Sequence, residues 1–149
     1  LGEVELSLGR AAAARQAFEQ ARQRATDIND PYRFDAAAGL ARVALAQGDL
    51  PAALREVEAL LAEVGGGIWG GVDMASLIEL TCYKVLARHH DARANDWLVR
   101  AHDALQAQAA AIADDAIRQR FLQNVPVHRE IVEAWTAWRQ KELDASASS

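Results

Sequence analysis

Cysteine is almost missing: Cys82 stands alone among 149 residues. One thiol excludes an intramolecular disulfide framework and a cysteine-built zinc site, and it fits a reducing compartment. Positive charge is also short, with 16 lysine and arginine residues against 21 aspartate and glutamate, a formal net charge of −5. Sequence-independent nucleic-acid binding and attachment to an anionic membrane both need clustered cations, so neither is expected of this segment. No apolar run approaches the roughly 20 residues of a membrane-spanning helix, and no signal peptide is present. A cytoplasmic location is the resulting expectation. Methionine is missing from position 1, so Leu1 reads as the edge of a fragment of a longer protein.

Proline is rare as well, and each of the three stands where a helix is expected to begin: Asp30-Pro31, Asp49-Leu50-Pro51 and Asn124-Val125-Pro126. A polar cap followed by a proline, whose missing N–H costs nothing in a first turn, is a start signal. Between these points alanine, leucine, arginine and glutamate dominate, and no stretch alternates with strand period. The chain reads as all-α, with helices over 2–8, 11–27, 31–47, 50–64, 74–89, 92–113, 115–124 and 126–143. Five of the nine glycines fall in GGGIWGG, residues 65–71, a break that carries Trp69. With 51% hydrophobic and 25% charged residues the chain fits one domain, a helical repeat region over 1–143 followed by a polar tail over 144–149.

Self-comparison exposes a period. Setting Gly9 on Gly48 aligns LGRAAAARQAF with QGDLPAALREV at an offset of about 39 residues, Ala14 on Ala53, Phe18 on Val57 and Ala21 on Leu60. RHHDARANDWL gives a third copy with a turn one residue shorter, where His90 replaces the glycine and Ala94, Leu98 and Ala101 take the packing positions. Each unit is a helix, a tight turn and a second helix whose small residue admits close approach. A single pair cannot bury both apolar faces, so the pairs stack into a solenoid with a concave and a convex side.

These residues resemble the tetratricopeptide repeat, whose signature sets Leu-Gly, then Gly-Asp, then Ala, an aromatic and Ala. Leu1-Gly2, Gly9, Ala14, Phe18 and Ala21 match it in the first unit, and Leu40, Ala41, Ala44, Gly48, Ala53, Val57 and Leu60 in the second. The third unit departs most, with Tyr83 at a position for a small residue. The second half, from Leu80-Thr81-Cys82-Tyr83 through Phe121-Leu122-Gln123-Asn124-Val125-Pro126, resembles the end of the repeat region in large bacterial signalling ATPases and transcriptional regulators of the adenylate-cyclase, LuxR or SARP type. That resemblance implies a right-handed α-solenoid of about three helical hairpins with a C-terminal capping helix. It also implies a regulatory or scaffolding segment that binds protein or peptide, other domains of the parent chain included, with no catalytic residues and no cofactor. Two other roles stay open, an inducer-sensing domain with a deep aromatic pocket around Tyr83 and Trp97, and a homodimerisation module.

The residues that carry chemistry elsewhere have plain explanations here. His89-His90-Asp91 lies in a turn, where adjacent side chains rarely converge on one metal, and Asp91 is placed to cap the next helix. His102 sits near a packing position, and Cys82 among Leu77, Ile78, Leu80, Val85 and Leu86 reads as a small core residue. GGGIWGG lacks the Lys-Ser/Thr of a phosphate loop. Asp114 or Asp115 caps the helix that follows. His128-Arg129-Glu130 follows a cap at Asn124, with Arg129 and Glu130 on the polar side of the last helix and His128 beside its tryptophans. Carried over from the repeat, the groove-facing positions are Glu3, Asp35, Arg42, Lys84 and Arg88; Glu3, Arg42 and Lys84 are equivalent in successive units and make a short charged ladder, with Arg42 and Lys84 suited to a carboxylate-bearing peptide. Trp69, Trp135 and Trp138 are the aromatics suited to an interface, with Trp135 and Trp138 on the face by which the last helix caps the array.

Overall fold

A computed structural model describes residues 1–64 and 75–148. Trp69 and the rest of 65–71 therefore lie outside the described residues. The elements are α1 (Gly2–Ser7), α2 (Ala11–Asp27), α3 (Tyr32–Ala46), α4 (Leu50–Val64), α5 (Ala75–Arg88), α6 (Ala94–Ala110), α7 (Asp115–Asn124) and α8 (Pro126–Ala147). Each packs on its neighbour in sequence. In addition α1 meets α3, α3 meets α5, and α5 meets α8, so the first helices of successive pairs run side by side in an α-solenoid. No strand occurs among the described residues, and none of their helices is long and apolar enough to cross a membrane.

The three turns inside the pairs are the same device. Gly9, Gly48 and His90 all take left-handed backbone, at φ of 72°, 75° and 54°. In each, the next residue's N–H reaches back across the turn, Arg10 to Glu5 O at 2.8 Å, Asp49 to Ala44 O at 2.9 Å and Asp91 to Leu86 O at 3.0 Å. These bonds satisfy carbonyls that the helix end would otherwise orphan. His90 is thus the structural counterpart of the two glycines. A Cβ at Gly48 would meet nothing within 4 Å, so Gly48→Ala is expected to lose about 1 kcal/mol from backbone strain alone. By the same reasoning His90→Gly gains up to about 1 kcal/mol. Urea denaturation of the two variants checks the opposite signs.

Hairpins are joined by repeated side-chain sets. Ala14 and Phe18 of α2 pack with Leu40 and Val43 of α3. Ala53 and Val57 of α4 share the main core with Cys82 and Val85 of α5. Ala101 and Leu105 of α6 pack with Leu80 of α5 and Ile131 of α8. So α8 closes the array in the place where another hairpin's first helix would stand.

Three local expectations change. Asn124 does not cap α8: it is the last residue of α7, and Val125, extended at φ −84° and ψ 118°, separates the two helices without a side-chain cap. Pro126 is the cause, because its ring drives the preceding residue out of the helical region. The helix expected over 92–113 stops at Ala110, and Arg118 donates to Ile112 O at 2.9 and 3.1 Å. The last helix runs on to Ala147, so residues 144–147 of the expected tail are helical. Side-chain bonds from Gln140 to Asp144 and from Ser146 to Glu142 O, both 2.9 Å, span its exposed final turns.

Candidate functional site

The side-by-side first helices bring the expected ladder together. Glu3 of α1 and Arg42 of α3, 39 residues apart, form an ion pair. The other guanidinium nitrogen of Arg42 donates to Thr81 Oγ1 of α5 at 3.2 Å, and Thr81 in turn donates to Leu77 O at 2.7 Å. One helix position further along the groove, Lys84 Nζ of α5 lies 2.8 Å from Glu130 Oε2 of α8. The result is a row of charges, negative, positive, positive, negative, across four helices.

Three adjoining hollows share this row. A recess of about 230 Å³ is bordered by Glu3, Phe18, Tyr32, Asp35, Arg42 and Ile78. A wider groove of about 580 Å³ is lined by Leu6, Arg42, Leu45, Tyr83, Lys84 and Arg88, among others. A third, of about 310 Å³, continues past Leu80, Thr81 and Lys84 to Val127 and Glu130. Arg42 borders all three, so the five expected positions fall around one continuous surface: Glu3, Asp35 and Arg42 at one end, Lys84 and Arg88 at the other.

The two cations differ in kind. Burial lowers the Arg42 guanidinium to a pKa of about 10, which leaves it charged at neutral pH, held by Glu3 and Thr81. The Lys84–Glu130 pair has both side chains about half exposed, at 48% and 49%. An exposed pair of that sort is worth only about 0.2–1 kcal/mol and exchanges partners readily. Arg42 is therefore a fixed anchor and Lys84 an exchangeable one. Thr81 and Glu130 are the members of this surface that the sequence reading missed. Glu130 was legible only as a polar residue on α8, because its separation from Lys84 is 46 residues rather than 39.

Elsewhere the chemistry dissolves into structure. His89 Nε2 is 3.0 Å from Leu50 O. Asp91 accepts from the Arg93 backbone N–H at 2.9 Å and from its guanidinium, and these bonds pull the Asp91 carboxyl down to about 2. Asp91 thus makes a turn ahead of α6, while Arg93 also bridges to Glu58 of α4. Asp114 caps α7 through Ile117 N at 2.9 Å. Cys82 is fully buried, and burial, with the nearby Glu79 charge, pushes its thiol up to about 12; such a thiol is no nucleophile. His128 has Nδ1 2.8 Å from Phe121 O and its ring 4.3 Å from Phe121, and so ties α8 to α7. Trp135 stacks on His102 of α6 at 4.0 Å and 8°, with Trp138 5.0 Å beyond. Trp97 is 8% exposed in the core under the Arg100 guanidinium, whereas Tyr83 borders the groove. Among the described residues, no three histidine, cysteine, aspartate or glutamate side chains stand close enough to hold a metal ion.

A family model described as tetratricopeptide repeat matches residues 5–66, a span that covers α2, α3 and α4 in full. No curated protein and no solved structure matches the chain. The match identifies a repeat and no parent protein. Tetratricopeptide repeats in general mediate protein–protein interaction and form a non-catalytic fold.

Proposed function

We propose that this repeat segment is a non-catalytic interaction module that takes a carboxylate-bearing peptide along the surface from Arg42 to Lys84 and Arg88. The observation that carries the reading is the occupied state of both cations: Glu3 and Glu130, from the flanking helices, already sit where a ligand's carboxylates would sit. A site that binds its own carboxylates in this geometry is built to recognise them from elsewhere. Burial of Trp97 in the core removes one wall of the deep pocket around Tyr83 and Trp97 that a small inducer would need, which favours a peptide. The resemblance of the second half to the repeat region of bacterial signalling ATPases and transcriptional regulators supports a regulatory place for the module within such a parent, its partner another domain or a separate protein.

The sign of two substitutions tests the site. Lys84→Ala removes an exchangeable anchor and is expected to weaken binding of acidic peptides about two- to fivefold, while Glu130→Gln removes the internal competitor and strengthens it by a similar factor. Fluorescence anisotropy with labelled acidic peptides at low and high salt is the measurement. Equal affinities in the parent chain and both variants would sink the proposal, as would unchanged affinity in an Arg42→Ala, Lys84→Ala double variant that stays folded.

A further inference from the structure

The third hairpin departs from the other two at one packing position. Seven residues before the left-handed turn residue the first unit has Gly2 and the second Ala41, while the third has Tyr83. A Cβ at Gly2 would meet the Phe18 ring, and Ala41 is 0% exposed, so in those units the space is filled. A phenol ring cannot use the space of a hydrogen or a methyl group, and the helices around it must leave more room. Beside Tyr83, between α5, the start of α6 and α8, lies a hollow of about 340 Å³.

Two rings, Tyr83 and Trp138, and the methyl groups of Ala134 and Ala137 give this hollow its apolar walls. A cavity of roughly 150 Å³ holds benzene, so there is room here for a body of one or two fused rings. The charge on offer is positive. Asp91 borders the hollow, but both of its carboxylate oxygens are engaged by Arg93. The side chains of Lys141 and His90, which also border it, make no ion pair or hydrogen bond among the described residues. The indole N–H of Trp138 is shielded from solvent and likewise has no hydrogen-bond partner among them. A buried donor left unpaired costs the folded chain free energy, which an acceptor drawn against the ring recovers. We propose that the hollow binds a small aromatic carboxylate of one or two rings, its rings beside Tyr83 and Trp138 and its carboxylate accepting from the Trp138 N–H and facing Lys141.

This site is separate from the charged groove, because Glu3, Arg42, Lys84 and Glu130 do not line it. It shares only Tyr83 and Ala87 with the wide hollow of that groove. Its second ring is Trp138 of α8, not the buried Trp97. Binding here therefore stands or falls independently of peptide binding along the ladder.

The probe is 2-naphthoate, titrated into the chain while the indole N–H resonances of the four tryptophans are followed by NMR. The Trp138 resonance, assigned by its loss in Trp138→Phe, is expected to move downfield and saturate. Lys141→Met, a change at an exposed position, weakens binding about two- to fivefold, and 2-naphthylmethanol, which has the rings without the charge, binds the unaltered chain more weakly by a similar factor. Trp138→Phe, read by the shifts of the Ala134 and Ala137 amides, weakens it about tenfold or more. A titration that leaves the Trp138 N–H in place overturns the proposal. So does an affinity that neither substitution changes, and so does a shift centred on the Lys84 and Arg88 amides instead, which puts the acid in the groove.

Discussion

Gly39→Ala is expected to destabilise the fold by about 2 kcal/mol, although an alanine in a helix interior normally gains up to about 1 kcal/mol over glycine. The reason is Phe18. A Cβ at Gly39 would stand under 3.0 Å from three atoms of the Phe18 ring, and on the other side a Cβ at Gly2 would lie 2.7–2.8 Å from the same ring. The ring is therefore held between the backbones of α1 and α3. Phe18 is also 7% exposed and belongs to the core between the first two hairpins, so displacing it opens the joint as well as the contact. Phe18→Leu alone costs about 1–2 kcal/mol through lost burial. Combined with Gly39→Ala it costs less than the two single losses added together, because the shorter side chain vacates the space the new methyl needs. Chemical denaturation of the four-member cycle gives the coupling. Simple addition of the two losses would mean that the glycine is there for some reason other than the ring.

That glycine illustrates what a sequence shows and what it hides. The period of about 39 residues made the Glu3–Arg42 pairing legible, because equal register in stacked helices puts side chains next to one another. It also made His90 legible as a turn residue, which its left-handed backbone bears out. Helix starts next to Pro31 and Pro51 and at Pro126 were readable because proline acts locally. Gly39 was not, since its constraint comes from Phe18, 21 residues earlier, across a hairpin joint. Glu130 was hidden for a related reason: α7 intervenes and shifts the register, so no fixed offset leads from Lys84 to its partner. Asn124 misled because its residue type suits a cap, whereas the geometry before Pro126 is set by the proline.

A larger loss is expected from Arg100→Met, about 3 kcal/mol at neutral pH. Glu79 of α5 is 5% exposed, and its charge is met by Arg100 of α6, 3.7 Å from Oε1. Among the described residues its second oxygen, Oε2, has no hydrogen-bond partner. Burial raises the Glu79 carboxyl above its ordinary value of 4.5, with Arg100 opposing that rise. Methionine keeps much of the aliphatic packing and removes the cation, leaving a buried carboxylate without its countercharge. The same reasoning predicts that Glu79→Gln restores most of the lost stability in the Arg100→Met background, and that alone it is close to neutral, because replacing a poorly satisfied buried charge removes a desolvation cost.

The pH dependence has a definite sign. A carboxyl whose folded pKa lies above its unfolded one binds its proton more tightly when folded, so its contribution is complete below 4.5 and is lost as pH rises through the folded value. In Arg100→Met the opposing cation is gone and the window extends upward. The difference in stability between Arg100→Met and Arg100→Met/Glu79→Gln should therefore shrink on acidification from pH 7 toward 4.5. Urea midpoints across that range check it. A difference that stays constant with pH would place the cost of losing Arg100 in its stacking on Trp97, 4.8 Å away, rather than in the charge it gives Glu79.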